Sequence, residues 1–189
     1  MGNRYELRLA GSGGQGVILA SVILAEAAVG SGVTVIQSQS YGPEARGGVC
    51  RAELVLSRGT LWFPKVTRPD FLLALTQASL DKYGRELAEG AIVMVDDSLT
   101  VPEWLEGARL VPLPILGTAR DAVGKLFTAN VVAVGALNAL LGLFDEQALL
   151  EGAMRRLPAG SEEINKSALA AGAALVSPEL AAAFAQKIG

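Results

Sequence analysis

A glycine-rich stretch, LAGSGGQGV, runs from Leu9 to Val17 and constrains the fold more than any other feature. Gly11, Gly13 and Gly16 stand at the G-x-G-x-x-G spacing. Tyr5 to Ala10, before it, reads as a short strand. Gln15 to Val29 is a helical pattern rich in Ala, Ile, Leu and Val, and Gly30 and Gly32 stop it. Val33 to Gln37 reads as a second strand. Strand, glycine turn, helix and strand together make a βαβ unit.

Such a turn has a use. Glycine lets the backbone bend tightly and approach a ligand closely. The helix that follows presents free N–H groups and the positive end of its dipole. A dinucleotide site also needs an acid at the end of the second strand, for the ribose. That strand instead ends in Val35-Ile36-Gln37-Ser38, the nearest acid is Glu44, and no arginine stands there for a 2′-phosphate. A Walker loop fails as well. Gly124-Lys125 is followed by Leu126, and Gly117 lies seven residues before Gly124 where the motif needs five. The loop alone therefore fits a tight crossover or a non-nucleotide anion site. A stand-alone Rossmann-type nucleotide-binding enzyme is the alternative it leaves.

Ser38 to Gly48 is a polar loop, and Arg51 to Ser57 alternates as a strand. Arg58-Gly59 reads as a turn into Thr60 to Phe63, which predicts an antiparallel hairpin. Phe71 to Leu75, Ala91 to Val95 and Arg109 to Leu113 read as further strands, and Ser79 to Ala88 as a helix. The remainder is helical: Ala129 to Leu143, Asp145 to Arg156, Ser161 to Val176, and a last helix opened by Ser177-Pro178-Glu179. The predicted fold class is α/β. It is a Rossmann-like three-layer α/β/α arrangement with a mostly parallel sheet, an antiparallel hairpin and a helical C-terminal part, all in one domain over residues 1–189.

Composition narrows the function. The 189 residues are 51% hydrophobic and 19% charged, where a soluble chain averages about 25% charged. Mean hydropathy is +0.39. A chain of this kind buries a large core and has apolar surface left for a partner. A net charge of −3 gives no basic footprint for nucleic acid. There is no histidine and one cysteine, Cys50. That excludes Ser-His and Cys-His nucleophile pairs, an intrachain disulfide, and a cysteine-held cluster or zinc built by this chain alone. Two uncharged runs mimic membrane signals. Leu9 to Ala25 follows Arg4 and Arg8 but is interrupted by glycines, so it does not read as an export signal. Leu126 to Phe144 is long enough to span a bilayer but reads as a core or interface helix. The expected location is the cytoplasm, with no membrane partner.

Several residues receive structural readings. Asp96-Asp97 is a strand-end turn or helix cap rather than a metal site. Cys50 is a small buried residue. Trp62 and Phe63 are core or interface. Asn130 and Asn138 fall close to one side of their helix and satisfy loop backbone or a partner.

The two loops together carry a resemblance. GSGGQGV is followed by SYGPEARGG at Ser40 to Gly48, the strand AELVLS, then FPKVTRPDFLLAL from Phe63 and NVVAVGAL from Asn130. From about Leu7 to Gly172 this series resembles the gamma subunit of the 2-oxoacid:ferredoxin oxidoreductases. The resemblance implies a subunit of an enzyme that oxidatively decarboxylates a 2-oxoacid to an acyl-CoA and reduces ferredoxin. It implies alpha and beta partners, with a delta subunit in some members. Thiamine diphosphate, magnesium and the iron–sulfur clusters are then expected in those partners, and the isolated chain is expected to be inactive, as a monomer or a homodimer. It implies no catalytic or metal-ligating residue in this chain. The candidate coenzyme A or subunit-cleft residues are Gly11, Gly13, Gly14, Gln15, Gly16, Ser40, Tyr41, Gly42, Glu44, Arg46 and Gly47. Both loops follow strands and are expected on one carboxyl edge of the sheet, where α/β proteins bind ligands. There Arg46 can pair with a phosphate or carboxylate and Tyr41 can stack. The residues leave ligand contact and docking on a partner equally open.

Overall fold

The computed structural model describes residues 4–40, 48–105 and 109–186. Six strands form one sheet: β1 (Arg4–Ser12), β2 (Thr34–Ser40), β3 (Val49–Ser57), β4 (Phe71–Ala74), β5 (Ile92–Asp96) and β6 (Arg109–Leu113). Their order is β2-β3-β1-β4-β5-β6. β1, β4, β5 and β6 run parallel to one another, and β3 is antiparallel to both β1 and β2. The α/β reading holds, and β1 and β2 point the same way with β3 inserted between them.

That insertion corrects the expected hairpin. Thr60 to Phe63 is not a strand; the antiparallel pair is β2 with β3. β3 already has a neighbour on each side, so it has no free edge for another strand. Residues 60–65 instead run irregularly, and the Arg4 guanidinium donates to the Phe63 and Lys65 carbonyls. Trp62 is 89% exposed, which removes the core reading for it.

One face of the sheet is covered by α1 (Val17–Gly30) and α4 (Ala129–Leu141). Leu7 and Leu9 of β1, Phe71 and Leu73 of β4 and Met94 of β5 point into this core. α1 is apolar nearly all round because it is itself covered by α5 (Glu146–Met154), and α4 is covered by α6 (Glu162–Ala173). α1 ends with Gly32 in the left-handed region at φ 69°, while Val33 N–H donates to the Ala28 carbonyl. Asp145 caps α5 by accepting from Ala148 N–H, and Ser177 caps α7 (Pro178–Phe184) by accepting from Leu180 N–H. Within the uncharged run, α4 is core, while Leu126 and Phe127 before it are exposed. Among the described residues, no single helix is long and apolar enough to cross a membrane.

The α4·α6 crossing depends on missing side chains. A Cβ added at Gly135 would land on the Leu169 carbonyl, and one added at Gly172 on the Val132 carbonyl. Gly152 of α5 does the same against α1, 2.9 Å from the Ile23 carbonyl oxygen and the Ala27 nitrogen. The backbones touch there, so each helix interlocks with the next.

The opposite face carries less. α2 (Gln77–Tyr83), opened by a Thr76–Ser79 capping box, covers Ala10, Leu72, Ala74, Val93 and Val95 with Leu80, Tyr83 and Leu105. It is shorter than the predicted Ser79–Ala88 helix. By the two-residue alternation of strands, Arg8 of β1 and Glu53 of β3 also face this side, directly paired in register. Arg8 is 2% exposed, and its Nε donates to Glu53 Oε1 at 2.7 Å.

Candidate functional site

The glycine turn connects β1 to α1 at the carboxyl edge. Gly16 occupies the N-cap position with φ 73°, in the left-handed region, and has no side chain to cap the helix. A Cβ there would also sit 2.6 Å from Asn130 Nδ2 of α4. Instead, Asn130 Nδ2 donates to the Gly16 carbonyl at 3.3 Å. At Gly11 a Cβ would lie 2.6 Å from Gln15 Oε1 and 3.1 Å from Val17 Cγ1. Gln15 Oε1 accepts from Ser12 N–H at 2.8 Å, and its Nε2 reaches the Leu75 carbonyl after β4. Gln15 and Asn130 therefore hold the loop from both ends of the sequence. Gly13 and Gly14 stay exposed at the tip.

The two ends of the second loop, Ser40 and Gly48, lie at the same edge as the glycine turn. Ser12 pairs with Val49 and Ser40 with Arg51, so the ends of β1 and β2 share one edge, as expected. Gly13 N–H donates to the Gly48 carbonyl at 3.1 Å, joining the turn to the end of the Ser40–Gly48 segment. Ser40 is exposed at this edge. Tyr41, Gly42, Glu44, Arg46 and Gly47 lie outside the described residues.

The inserted β3 bears on the dinucleotide alternative. In a dinucleotide fold the second strand lies beside the first, and its terminal acid reaches the ribose. Here β2 is displaced by one whole strand position, about 5 Å further from the glycine turn. The missing acid and the displaced strand agree.

The other singled-out residues have structural tasks. Asp96 is buried at the end of β5. Its Oδ2 accepts from Leu116 N–H at 2.8 Å, in the first turn of α3 (Ile115–Asp121), and its Oδ1 from Ser98 N–H at 3.1 Å. It is a cap, although the helix it serves lies 20 residues on and was not read from the sequence. Cys50 is buried, and desolvation raises its thiol above the ordinary range, which removes it from nucleophilic chemistry. Asn138 accepts from Phe144 N–H and donates to the Phe144 carbonyl, closing the end of α4. Among the described residues no group of three or more Cys, Asp or Glu side chains is gathered to hold a metal.

The family described as pyruvate ferredoxin/flavodoxin oxidoreductase matches residues 6–175. The 2-oxoglutarate synthase subunit KorC of Methanothermobacter thermautotrophicus is 41% identical over 180 residues, which is 92% of this chain and 95% of that subunit. The keto/oxoacid ferredoxin oxidoreductase gamma subunit from Geobacter sulfurreducens PCA superposes with a TM-score of 0.79 at 40% identity, covering 96% of this chain and 98% of that one. The same fold recurs, with a TM-score of 0.83 and 24% identity, within 31% of a longer chain, covering 93% of this one. That chain is from the 2-oxoglutarate:ferredoxin oxidoreductase of Magnetococcus marinus, whose structure has 2-oxoglutarate, coenzyme A and succinyl-CoA bound. Fold and sequence agree: the chain belongs to the pyruvate ferredoxin/flavodoxin oxidoreductase family, as a gamma subunit of the 2-oxoacid:ferredoxin oxidoreductases.

Proposed function

We propose that this chain completes a 2-oxoacid:ferredoxin oxidoreductase with alpha and beta partners, and that its two joined loops frame the coenzyme A entrance. The Gly13 N–H to Gly48 carbonyl bond supports the reading, because it ties the glycine turn to the residue that closes the second loop. The 2-oxoacid is 2-oxoglutarate, supported by the likeness to KorC subunits along nearly their whole length. Gly11, Gly13, Gly14, Gln15 and Gly16 supply a close-packed backbone at the positive end of α1, which suits a phosphate. Ser40, Tyr41, Gly42, Glu44, Arg46 and Gly47 are the second loop's candidates, with Arg46 the residue whose chemistry fits a phosphate of coenzyme A.

Thiamine diphosphate, magnesium and iron–sulfur clusters do not fit this chain. It has one cysteine, no histidine and, among the described residues, no cluster of acids. They belong to the partner subunits, as does the transfer of electrons to ferredoxin. This chain's share is to position and to shield.

Reconstitution tests the reading. The partners are expressed with and without this chain, and 2-oxoglutarate- and coenzyme A-dependent reduction of ferredoxin is measured. Activity and stable association are expected only when the chain is present. Full activity of the partners alone would remove it from the enzyme.

A further inference from the structure

We propose that a cleft on the second face of the sheet, walled by Arg8, Arg51, Arg68 and Arg85, is a binding site for an oxyanion group, a phosphate or a carboxylate. None of its lining residues belongs to the glycine turn, and the inference does not rest on the role of the two loops with coenzyme A. The cleft has a volume of about 700 Å³ and opens between β1, β3, the segment before β4 and the segment after α2. Val66, Thr67, Glu86 and Leu87 complete its wall.

The floor is the strongest observation. Arg8 is 2% exposed, and its Nε is satisfied by Glu53. Its Nη1 is buried and has no hydrogen-bond partner. The nearest further acid is Glu86, whose Oε2 stands 3.9 Å away on a side chain that is largely exposed. A buried guanidinium N–H without an acceptor is costly, and native proteins rarely leave one so. An oxyanion entering the cleft would supply that acceptor.

The walls favour the same occupant. Arg8 and Arg51 each place their guanidinium carbon 5.4 Å from the centre of the Tyr83 ring, and Lys82 lies 5.5 Å from it. The ring fixes both guanidinium groups before any ligand arrives. Arg85 is stacked on Trp104 at 4.3 Å. Arg68 has no ion pair among the described residues. Four arginines, Arg8, Arg51, Arg68 and Arg85, line the cleft with one acid, Glu86, while Glu53 pairs with Arg8 beside it. In a chain of net charge −3 this is a local reversal of sign. Arginine forks bind planar or tetrahedral oxyanions through paired hydrogen bonds, and several around one cleft select for more than one negative charge.

The test titrates inorganic diphosphate into the full chain at low salt, by calorimetry. Saturable binding with Kd below about 1 mM is expected. Arg68→Ala and Arg85→Ala should each weaken it about fivefold, and the pair about twentyfold or more, as loss of charge-assisted contacts requires. Both side chains are exposed, and the unliganded melting point of each variant confirms that the fold is kept. Arg120→Ala, at an exposed arginine of α3 on the other side of the sheet, should leave the affinity within about twofold. No saturable binding, equal binding by the double variant, or loss of binding in Arg120→Ala would each overturn the proposal. Repeating the titration on the assembled enzyme separates the sources. Retained binding indicates a free phosphate-bearing ligand; blocked binding that is restored when acidic residues of the covering partner surface are replaced indicates a partner carboxylate.

Discussion

Gly172→Ala is expected to destabilise the chain by about 3 kcal/mol, at the upper end of what overpacking a tight core costs. The added methyl group has nowhere to go. It would fall on the Val132 carbonyl and within 3.0 Å of the Ala136 nitrogen, both backbone atoms of a helix packed against the sheet. A flexible side chain could turn aside; a helix backbone cannot, so α6 must move away from α4. That movement opens the contact at Gly135 and Leu169 as well. Gly30→Ala is the control. It ends α1, is exposed, and a Cβ there meets nothing within 4 Å. By helix propensity it should be neutral or stabilise by up to about 1 kcal/mol. Urea unfolding of the two variants checks the contrast. Similar midpoints for both would mean that the crossing yields more easily than its geometry implies.

Glu53→Gln is expected to cost about 3 kcal/mol, because it leaves the buried Arg8 guanidinium with only the exposed Glu86 carboxylate, 3.9 Å away. Arg51 stands 3.8 Å from the Glu53 carboxylate, so the substitution also removes the charge that lies between two cations. Removing both partners is different. Arg8→Met with Glu53→Leu replaces a desolvated pair by apolar groups and should recover most of the loss. A double-mutant cycle by urea unfolding measures this directly. A cost below about 1 kcal/mol for Glu53→Gln would show that water reaches Arg8 freely, as at a surface pair.

The parts of the fold written in local punctuation were legible. The glycines of residues 11–16 and of residues 30–32 bracket α1, and both loops were placed on one edge because each follows a strand of the same direction. Strand neighbours are not local information. Nothing in VCRAELVLS says that β3 slips between β1 and β2, so the hairpin was given to the wrong partner. Leu61, Trp62 and Phe63 have strand-forming side chains, but β3, the strand they were expected to join, is paired on both sides. α3 was missed because it has seven residues, and the acid that satisfies its first turn, Asp96, lies on another element.

The site divides in the same way. The two loops were readable as motifs, and Gln15 was singled out with them. Its double attachment to Ser12 and Leu75, and Asn130 holding the Gly16 carbonyl, appear only when β4 and α4 are folded against the turn. The arginine cleft left one trace in the sequence, a charged residue at an inward position of each of two apolar strands, Arg8 in YELRLAG and Glu53 in AELVLS. Period-two alternation puts the two on one face, but only the register shows that they are partners.

The central claim is that this subunit contributes to coenzyme A binding through its joined loops, and Arg46→Ala in the assembled enzyme tests it most directly. With 2-oxoglutarate saturating, the KM for coenzyme A should rise about tenfold, as expected for the loss of one charge-assisted phosphate contact. The KM for 2-oxoglutarate and the subunit composition should stay unchanged. An unaltered KM for coenzyme A in a fully assembled enzyme would contradict the account and leave the second loop as a docking element alone.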